Sequence, residues 1–336
     1  MTRPPRRARA VDVAARAGVS VATVSFVVNG KAEGRVSPAT RLRVLDAIAA
    51  LGYVTDASAR ALATGRRRQV ALLAHDMTNP FTAQVAAGAA AGIAEATEGT
   101  GHLLLLLASD DAEPDTEPVG AATVDGVLIN YPGTLPAGRP DLPVVHLDDP
   151  AAGGHQVSMD VVVGARELAA HLAGLGHRHV VFVDSNRPWS TFVERRTAFT
   201  DEFARRVPGA VVTGDRSGID LAGAVGHATA ALEGWQRSGA TAVVTATDVQ
   251  ALGVLSALAA AGVPVPGRLS VAAFDDIPFA AVSAPPLTTV RLPARELGHR
   301  GAVLLSRVID GTAVDPAPVV LPAQLVVRGS TGPATM

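Results

Sequence analysis

The chain has 336 residues, of which 48% are hydrophobic and 4% aromatic, and its 29 Lys and Arg against 31 Asp and Glu give a net charge of −2. The length suits two or three domains, and the absence of cysteine excludes disulfides, thiol nucleophiles and cysteine-ligated metals. No apolar stretch reaches membrane-spanning length and no hydrophobic segment follows the basic N-terminus, so we expect a cytoplasmic protein without a membrane partner.

The first predicted elements lie within residues 11–30 and have the pattern of a helix-turn-helix. A short first helix places Val13, Ala14 and Ala17 on one face, and Gly18 permits the turn that follows. Ser20 is placed to cap a second helix over 21–28, which turns Val24, Val27 and Val28 inward. In such a motif the second helix lies in the major groove of DNA. The residues predicted to face DNA are Ser20, Val21, Ala22, Thr23, Ser25, Phe26 and Asn29.

A third helix is predicted after Ser37, with Pro38 at its first position and Gly52 at its end. Its expected buried stripe is Leu42, Leu45, Ile48 and Ala49.

Charge is distributed unevenly along the chain. Residues 1–68 hold 13 Lys and Arg against 4 Asp and Glu, whereas residues 69–336 hold 16 against 27. A basic module on an acidic body favours attraction of the module to phosphates and repulsion of the rest from the duplex.

Five segments of the N-terminal region closely resemble the DNA-binding head of the lactose-repressor (LacI) family: DVAARAGVS, VATVS, VNGK, VSPATRLRVLDAIAALGY and ARALA. Five matches in register disfavour the alternative of an Ala- and Val-rich three-helix unit with no DNA role. The resemblance implies a homodimer that binds double-stranded DNA at a near-palindromic operator. It also implies a hinge helix that folds on DNA, in which Arg60 and Leu62 contact the duplex and Leu62 enters the minor groove.

One position of the second helix departs from this resemblance. Phe26 stands where the family commonly has an arginine. Because Val21 and Ala22 are also apolar, we expect contacts with thymine methyl groups rather than hydrogen bonds at these positions.

Beyond residue 68 the predicted strands and helices alternate, which requires parallel sheets covered by helices. Strands are predicted at 70–74, 102–108, 126–130, 143–148, 180–184, 242–246, 269–274 and 318–328, and helices at 82–97, 161–174, 191–206, 220–235, 248–261 and 293–310. The predicted fold class is an all-α head joined to an α/β body of two side-by-side parallel-sheet lobes. The predicted domains are 1–55 (helix-turn-helix), 56–68 (hinge helix and linker) and 69–332 (effector binding and dimerisation, with lobes divided near 162 and 290).

The body also resembles the LacI family, whose effector domain looks like a periplasmic sugar-binding protein. Matching segments include DMTNPF, VDGVLI, LPVVHLD, GARELAAHLAGLGHRHVVFV, ERRTAF and LSVAAFDDIPFA. One segment departs from the family: between Asp110 and Val124 the chain is too short and too rich in proline for the usual helix, so we expect that helix to be short or missing.

Several polar side chains follow predicted strands, where ligands of α/β folds bind. The candidates are His75, Asp160, Arg195, Asp248 and Asp275. Carboxylates and an arginine around one crevice suit a hydroxyl-rich ligand, with an aromatic ring against its apolar face.

The resemblance assigns roles to some of these residues. Asp275 matches the family's ligand-binding carboxylate, Arg195 its ligand-binding arginine and Phe81 an aromatic wall. Thr247 stands at a polar position, and Arg216 replaces an aromatic residue, which points to a more polar or anionic effector. We therefore expect a transcriptional regulator, a repressor controlled by a sugar or a related metabolite.

Other classes of function find less support. His177 and His179 lack a third ligand nearby, so no metal is expected. Gly88 and Gly92 fit close helix packing better than dinucleotide binding, so no cofactor is expected either. The alternative hypothesis is an enzyme or a sugar-binding module that retains the head as a remnant. Against it, no nucleophile with a base and an orienting partner stands out, and we expect no export signal.

Overall fold

A computed structural model describes residues 8–28, 30, 32–53, 66–97, 103–109, 119, 123–131, 142–149, 151–315 and 317–335. The chain divides between Arg67 and Arg68 into two compact units, here called the head and the body. Asn29, Arg60, Leu62, most of the predicted hinge and the shortened segment after Asp110 lie outside the described residues.

The described head contains three helices, α1 (Ala10–Ala17), α2 (Val21–Val28) and α3 (Pro38–Leu51). Gly18 ends α1 in the left-handed conformation with φ 66°, and the Ser20 hydroxyl accepts a hydrogen bond from the Thr23 N–H at 3.1 Å. Both signals of the helix-turn-helix are therefore confirmed. Val13, Ala14, Ala17, Val24 and Val27 form the buried centre of the head, while Val28 is only partly buried.

The expected buried stripe of α3 is wrong. The helix buries Val44 and Ala47, whereas Leu42 is 61% exposed and Leu45 is 40% exposed. Ile48 packs partly against the core and Ala49 is exposed. Because α3 carries apolar residues around most of its circumference, periodicity alone did not identify the face that meets α1 and α2.

The described body has two six-stranded sheets, one in each lobe. The strand order is β11-β5-β4-β3-β1-β2 in the first lobe and β12-β10-β9-β8-β6-β7 in the second. All pairs are parallel except β10 with β12. The strands are β1 (Gln69–His75), β2 (Leu103–Ser109), β3 (Gly126–Asn130), β4 (Val144–Leu147), β5 (Gln156–Met159), β6 (His179–Ser185), β7 (Val211–Ser217), β8 (Ala242–Thr245), β9 (Ser270–Asp275), β10 (Thr288–Arg291), β11 (Val319–Leu321) and β12 (Gln324–Val326).

The helices of the body occupy different positions in the two lobes. They are α4 (Pro80–Ala96), α5 (Val161–Gly174), α6 (Ser190–Arg206), α7 (Leu221–Arg237), α8 (Asp248–Ala260) and α9 (Ala294–Ile309), with a short 3₁₀ helix at Pro278–Ala281. In the first lobe α4 and α9 cover one sheet face, and within the described residues the other face carries only a small cluster with Val119, Val124, Tyr131 and Leu142. In the second lobe α5 and α6 cover one face and α7 and α8 the other.

The segment 318–328 does not form the single predicted strand. It is divided into β11 and β12, which belong to different sheets, so the chain passes between the lobes here as well as near residues 160 and 292. Pro322 lies between the two strands and has no N–H to continue either ladder. Strands β5, β7 and β10 were not predicted as strands because they are short or polar and lack a continuous apolar run.

Of the described helices, none is by itself long and apolar enough to cross a membrane. Only α1 and α2 taken together, with a bend of 104° between them, reach the required length and composition.

Candidate functional site: a cleft between two lobes and the exposed face of α2

The exposed face of α2 carries most of the residues predicted to face DNA. Val21, Ala22 and Ser25 are exposed, and Thr23 and Phe26 are partly buried. The Ser20 and Thr23 hydroxyls lie 2.9 Å apart, so Ser20 serves mainly the helix cap. DNA contact by these residues remains a prediction.

The body contains a cleft at the carboxyl ends of strands from both sheets. It holds about 580 Å³ of space not filled by atoms, part of it open to solvent. Its lining residues are His75, Asp76, Asn79, Phe81, Thr82, Asn130, Tyr131, Leu147 and Asp148 from the first lobe, and Trp189, Thr191, Phe192, Arg195, Ile219, Thr247 and Asp275 from the second.

Arg195 lies at the centre of this cleft and is only 2% exposed. Its Nη1 donates to the Ala246 carbonyl at 2.7 Å and to Asp275 Oδ1 at 3.1 Å. Its Nη2 lies 3.9 Å from Asp148 Oδ2, so the guanidinium faces one carboxylate from each lobe. The Phe192 ring packs against it at 5.1 Å. Arg195 is therefore fixed by its partners before any ligand arrives.

Three carboxylates of the cleft sit on strained backbone at the ends of strands. Asp76, Asp148 and Asp275 have φ values of 30°, 57° and 129°, which L residues other than glycine rarely adopt. Such strain persists where the surrounding structure fixes it, and it is concentrated at functional sites. The three turns direct carboxylates into the cleft from three different strand ends.

Burial controls the titration of the two innermost carboxyls. Burial raises the pKa of Asp148 to about 7, and the positive charge of Arg195 opposes this rise. Burial likewise raises the pKa of Asp275 to about 6, again opposed by Arg195. One guanidinium therefore faces two carboxyls that titrate near neutral pH.

Among the described residues, several side-chain contacts join the lobes around the cleft. The Ser190 hydroxyl at the start of α6 donates to Asp149 Oδ1 at 2.9 Å, and Arg195 approaches Asp148. His75 meets the edge of Trp189 with ring centroids 5.3 Å apart, and Trp189 stacks on Phe192. Polar and aromatic contacts thus hold the two lobes together across the cleft.

The structure brings together five of the predicted effector residues and separates three. His75, Phe81, Arg195, Thr247 and Asp275 all line the cleft. Arg195 lies in the second turn of α6 rather than at its start, and Thr247 caps α8, its hydroxyl accepting from the Gln250 N–H. Their role in effector binding stays a prediction.

Asp160, Arg216 and Asp248 do not line this cleft. Asp160 caps α5, accepting from the Val163 N–H, and Arg216 is exposed on the edge strand β7. Asp248 is fully buried and accepts from the Ile277 N–H and the Thr289 hydroxyl, so it fixes the turn that follows Asp275. Each carboxylate satisfies backbone or hydroxyl donors nearby, which explains why it is turned away from the ligand space.

Sequence reasoning missed several cleft residues. Asp148 was treated only as the last residue of a strand, although an aspartate directly after an apolar strand was the signal used for Asp275. Trp189 and Phe192 add aromatic surface to that of Phe81, but aromatic residues near a helix start are equally typical of core packing.

The other sequence candidates have structural roles. His177 contacts Thr241 and the Gly332 carbonyl, His179 contacts Thr213 and the Ser238 carbonyl, and the described residues contain no group of three metal-binding side chains. A Cβ at Gly88 would lie 1.9 Å from the Arg295 carbonyl oxygen, and one at Gly92 would lie 2.5 Å from that of His299. The close packing of α4 on α9 confirms the helix-packing interpretation of both glycines.

Comparison with known proteins agrees with this architecture. Residues 11–56 match the lacI family of bacterial regulatory proteins, and residues 169–331 match a periplasmic binding protein-like domain. The HTH-type transcriptional regulator DegA of Bacillus subtilis is 31% identical over 96% of this chain and 97% of its own length. The regulator reg1 of Streptomyces lividans is 32% identical over 97% of each chain.

Solved structures show the same fold. A Lac repressor dimer bound to operator and the anti-inducer ONPF superposes with a TM-score of 0.83 at 25% identity, covering 97% of this chain and 100% of that one. A complex of the regulator CelR with cellobiose gives a TM-score of 0.68 at 28% identity, covering 96% and 100%. The predicted fold class is confirmed, and so is the expectation of a regulator rather than an enzyme. On this agreement over nearly its whole length, the chain belongs to the LacI family of DNA-binding transcriptional regulators.

Proposed function

We propose that this chain is a homodimeric repressor whose binding to a near-palindromic operator is controlled by a neutral, hydroxyl-rich effector of the sugar class. The observation that carries the proposal is the buried group of Arg195, Asp275 and Asp148 at the base of a cleft with aromatic walls. The CelR–cellobiose complex supports a sugar, because that relative has the same two-lobed fold.

The chemistry of the cleft favours hydroxyl groups over anions. The carboxylates of Asp76, Asp148 and Asp275 accept hydrogen bonds from ligand hydroxyls, and the Trp189 and Phe192 rings suit the apolar face of a sugar. Arg195 already donates to Asp275 and the Ala246 carbonyl. A phosphate or carboxylate on the effector would therefore meet more negative than positive charge. We therefore propose a neutral effector in place of the anionic effector that Arg216 suggested, since Arg216 lies outside the cleft.

Effector control requires that the ligand bind one arrangement of the lobes better than another, typically by about 1–3 kcal/mol of coupling. The cleft takes side chains from both lobes, so a ligand within it stabilises closure. We propose that closure changes the spacing of the two heads in a dimer and thereby their fit to two half-sites. The predicted hinge helix at 57–63, with Leu62 as its minor-groove wedge, belongs to this proposal.

The experiment combines DNA selection with ligand screening. The full chain is used to select duplexes from a random library, and light scattering measures its oligomeric state. Thermal unfolding is then followed with neutral sugars, polyols and the phosphorylated form of each sugar, because a ligand of the native state raises the melting temperature. We expect a stabilising neutral sugar, no stabilisation by its phosphate ester, and a change in affinity for the selected DNA.

The matched variants are Asp275→Asn in the cleft and Asp201→Asn on the exposed side of α6. Asparagine keeps the shape of the side chain but removes its charge. We expect Asp275→Asn to keep operator binding and lose the effector response, and Asp201→Asn to behave as the wild type. A normal response from Asp275→Asn would place the effector elsewhere, and a monomer with full operator affinity would contradict the dimer.

A further inference from the structure

The aromatic ring of Phe26, predicted to contact thymine methyl groups, has an arginine side chain against one face. Phe26 lies towards the carboxyl end of α2, partly buried beside the exposed Ser25. The guanidinium of Arg35 lies over its ring, 5.4 Å from the ring centroid. One face of the ring is therefore covered by a cation.

A tight loop after α2 brings Arg35 to this position. Gly30 and Gly34 both adopt left-handed conformations, with φ of 71° and 68°. The Ala32 carbonyl accepts hydrogen bonds from the Arg35 N–H at 3.1 Å and the Val36 N–H at 2.8 Å. Ala32 is buried in the head, so both ends of this turn are anchored while the Arg35 side chain remains exposed.

The surroundings of Arg35 leave its charge available. Within the described part of the head, no carboxylate forms an ion pair with Arg35, whereas Arg9 lies 4.0 Å from Asp12. A ring under a guanidinium neutralises none of its charge and restricts its motion. An arginine held beside the recognition helix in this way is arranged for a phosphate, which it can bind through two parallel N–H donors.

We propose that Arg35 contacts the phosphate backbone of DNA beside the major groove and that Phe26 is the positioning residue that holds it there. The proposal deepens the DNA-binding function on which it rests. The cation that relatives commonly carry on α2 itself is then supplied from the following loop, and Phe26 acts through Arg35 rather than by reading a base. Phosphate contacts fix the register of a protein on the duplex without specifying its sequence.

The test measures the affinity of the full chain for two duplexes across a range of salt concentrations. One duplex is selected from a random library by the wild type, and the other has an unrelated sequence. Arg35→Ala should weaken binding to both duplexes by roughly tenfold, and the slope of log affinity against log salt should fall by about 0.9 for each head on the DNA.

The variants of Phe26 distinguish positioning from direct contact. Phe26→Leu keeps an apolar side chain but removes the aromatic face, so it should reproduce part of the Arg35→Ala loss, and Phe26→Tyr should retain wild-type binding. In the double variant Phe26→Leu/Arg35→Ala the two losses should not add, because both remove the same contact. Combined with Arg41→Ala, an exposed arginine of α3, Phe26→Leu should give additive losses.

Three results would overturn the proposal. They are a loss for Arg35→Ala confined to the selected duplex with an unchanged salt slope, additive losses for Phe26→Leu and Arg35→Ala, and no loss from either variant. Thermal unfolding and circular dichroism of each variant identify any that fail to fold. If Phe26→Leu is one of them, Phe26→Tyr is compared with the wild type in its place, and a loss of binding by folded Phe26→Tyr counts against the proposal. Failure of the wild type to bind any duplex would instead contradict the proposed function.

Discussion

The two lobes have the same strand order but contribute to the cleft in different ways. The second lobe has helices on both faces of its sheet, and its cleft residues are fixed to one another, since Arg195 holds Asp275 and the Ala246 carbonyl while Asp248 fixes the turn after Asp275. The first lobe has described helices on one face only, and its Asp148 and His75 reach across to partners in the second lobe. The second lobe is therefore the preassembled half of the site, and the first lobe is the half whose contacts depend on closure.

The largest loss of stability should follow from removing the guanidinium of Arg195, at the centre of the cleft residues of the second lobe. Arg195→Ala leaves two buried carboxylates without their cation, so we expect the body to lose about 3–5 kcal/mol in its free energy of unfolding in urea. Arg205 lies on the same helix in an exposed pair with Glu202, and Arg205→Ala should change stability little. Equal small losses from both substitutions would show that the Arg195 group does not stabilise the second lobe.

A smaller effect should separate a closely packed glycine of the first lobe from an exposed glycine of the second. A Cβ at Gly298 of α9 would lie 2.0 Å from the Val85 carbonyl oxygen of α4, so Gly298→Ala must push apart the described helices of the first lobe, at a cost of about 1–3 kcal/mol. A Cβ at Gly234 of α7 would meet nothing within 4 Å. Gly234→Ala should therefore stabilise the second lobe by about 0.5–1 kcal/mol, because alanine is the better helix former. Similar destabilisation by both in thermal unfolding would contradict this difference in packing.

The same difference explains what sequence reasoning could predict. Strands β6, β8 and β9 of the second lobe were predicted because their apolar runs are continuous and buried, whereas the polar strands β7 and β10 of the same lobe were not. Arg195 and Asp275 were identified because a family resemblance added position to residue type. Asp248 carried the same signal, a carboxylate after an apolar strand, yet it faces Ile277 and Thr289, and only three-dimensional packing separates these two outcomes.

Contacts between the lobes could not be predicted in this way. Asp148 approaches Arg195, 47 residues further along the chain, because Asp148 adopts a left-handed conformation after β4. The residue types in this segment do not predict that conformation. Pairing of Asp149 with Ser190 likewise depends on how the lobes close. In the head, the apolar residues around α3 left its buried face undetermined, and the turn that brings Arg35 onto Phe26 depends on backbone geometry.

Titration of the two cleft carboxyls provides a further test. Asp148 of the first lobe lies 3.9 Å from the Arg195 guanidinium, farther than Asp275 of the second lobe, which lies 3.1 Å from it. Hydroxyl donors favour ionised carboxylates, so affinity for the neutral sugar should rise roughly tenfold from pH 5.5 to 8, as Asp275 and Asp148 ionise with pKa values of about 6 and about 7. Asp148→Asn should flatten most of this rise in calorimetric titrations. An unchanged pH profile would remove Asp148 from the site.

The stability of the body should change with pH in the opposite direction to sugar affinity, because of the same two carboxyls. Their pKa values in the folded body lie above the unfolded value near 4, so between about pH 4 and 7 the folded state holds protons that the unfolded state has released. The free energy of unfolding contributed by the pair therefore falls as pH rises through this range. The difference between the wild type and Asp148→Asn isolates the contribution of Asp148 from that of the partly buried His171 and the buried His177, whose pKa values are lowered by burial.

The smallest effect concerns the hydrogen bond that crosses from the first residue of α6 to the first lobe. Asp149 lies at the amino end of this helix, where the helix dipole favours a carboxylate, and it accepts from the Ser190 hydroxyl at 2.9 Å. We expect opening of the lobes to break this hydrogen bond. Ser190→Ala removes about 1 kcal/mol from the closed state alone, since Asp149 keeps the Ala151 N–H as a donor. We expect the dissociation constant of the sugar to rise about fivefold while the unfolding of the second lobe is unchanged. Ser190→Thr keeps the hydroxyl and serves as the matched control. If Ser190→Ala instead lowers stability without changing sugar affinity, the hydrogen bond stabilises the fold of the second lobe rather than the closed arrangement of the lobes. That result would contradict the division of the body into a fixed lobe and a closing lobe.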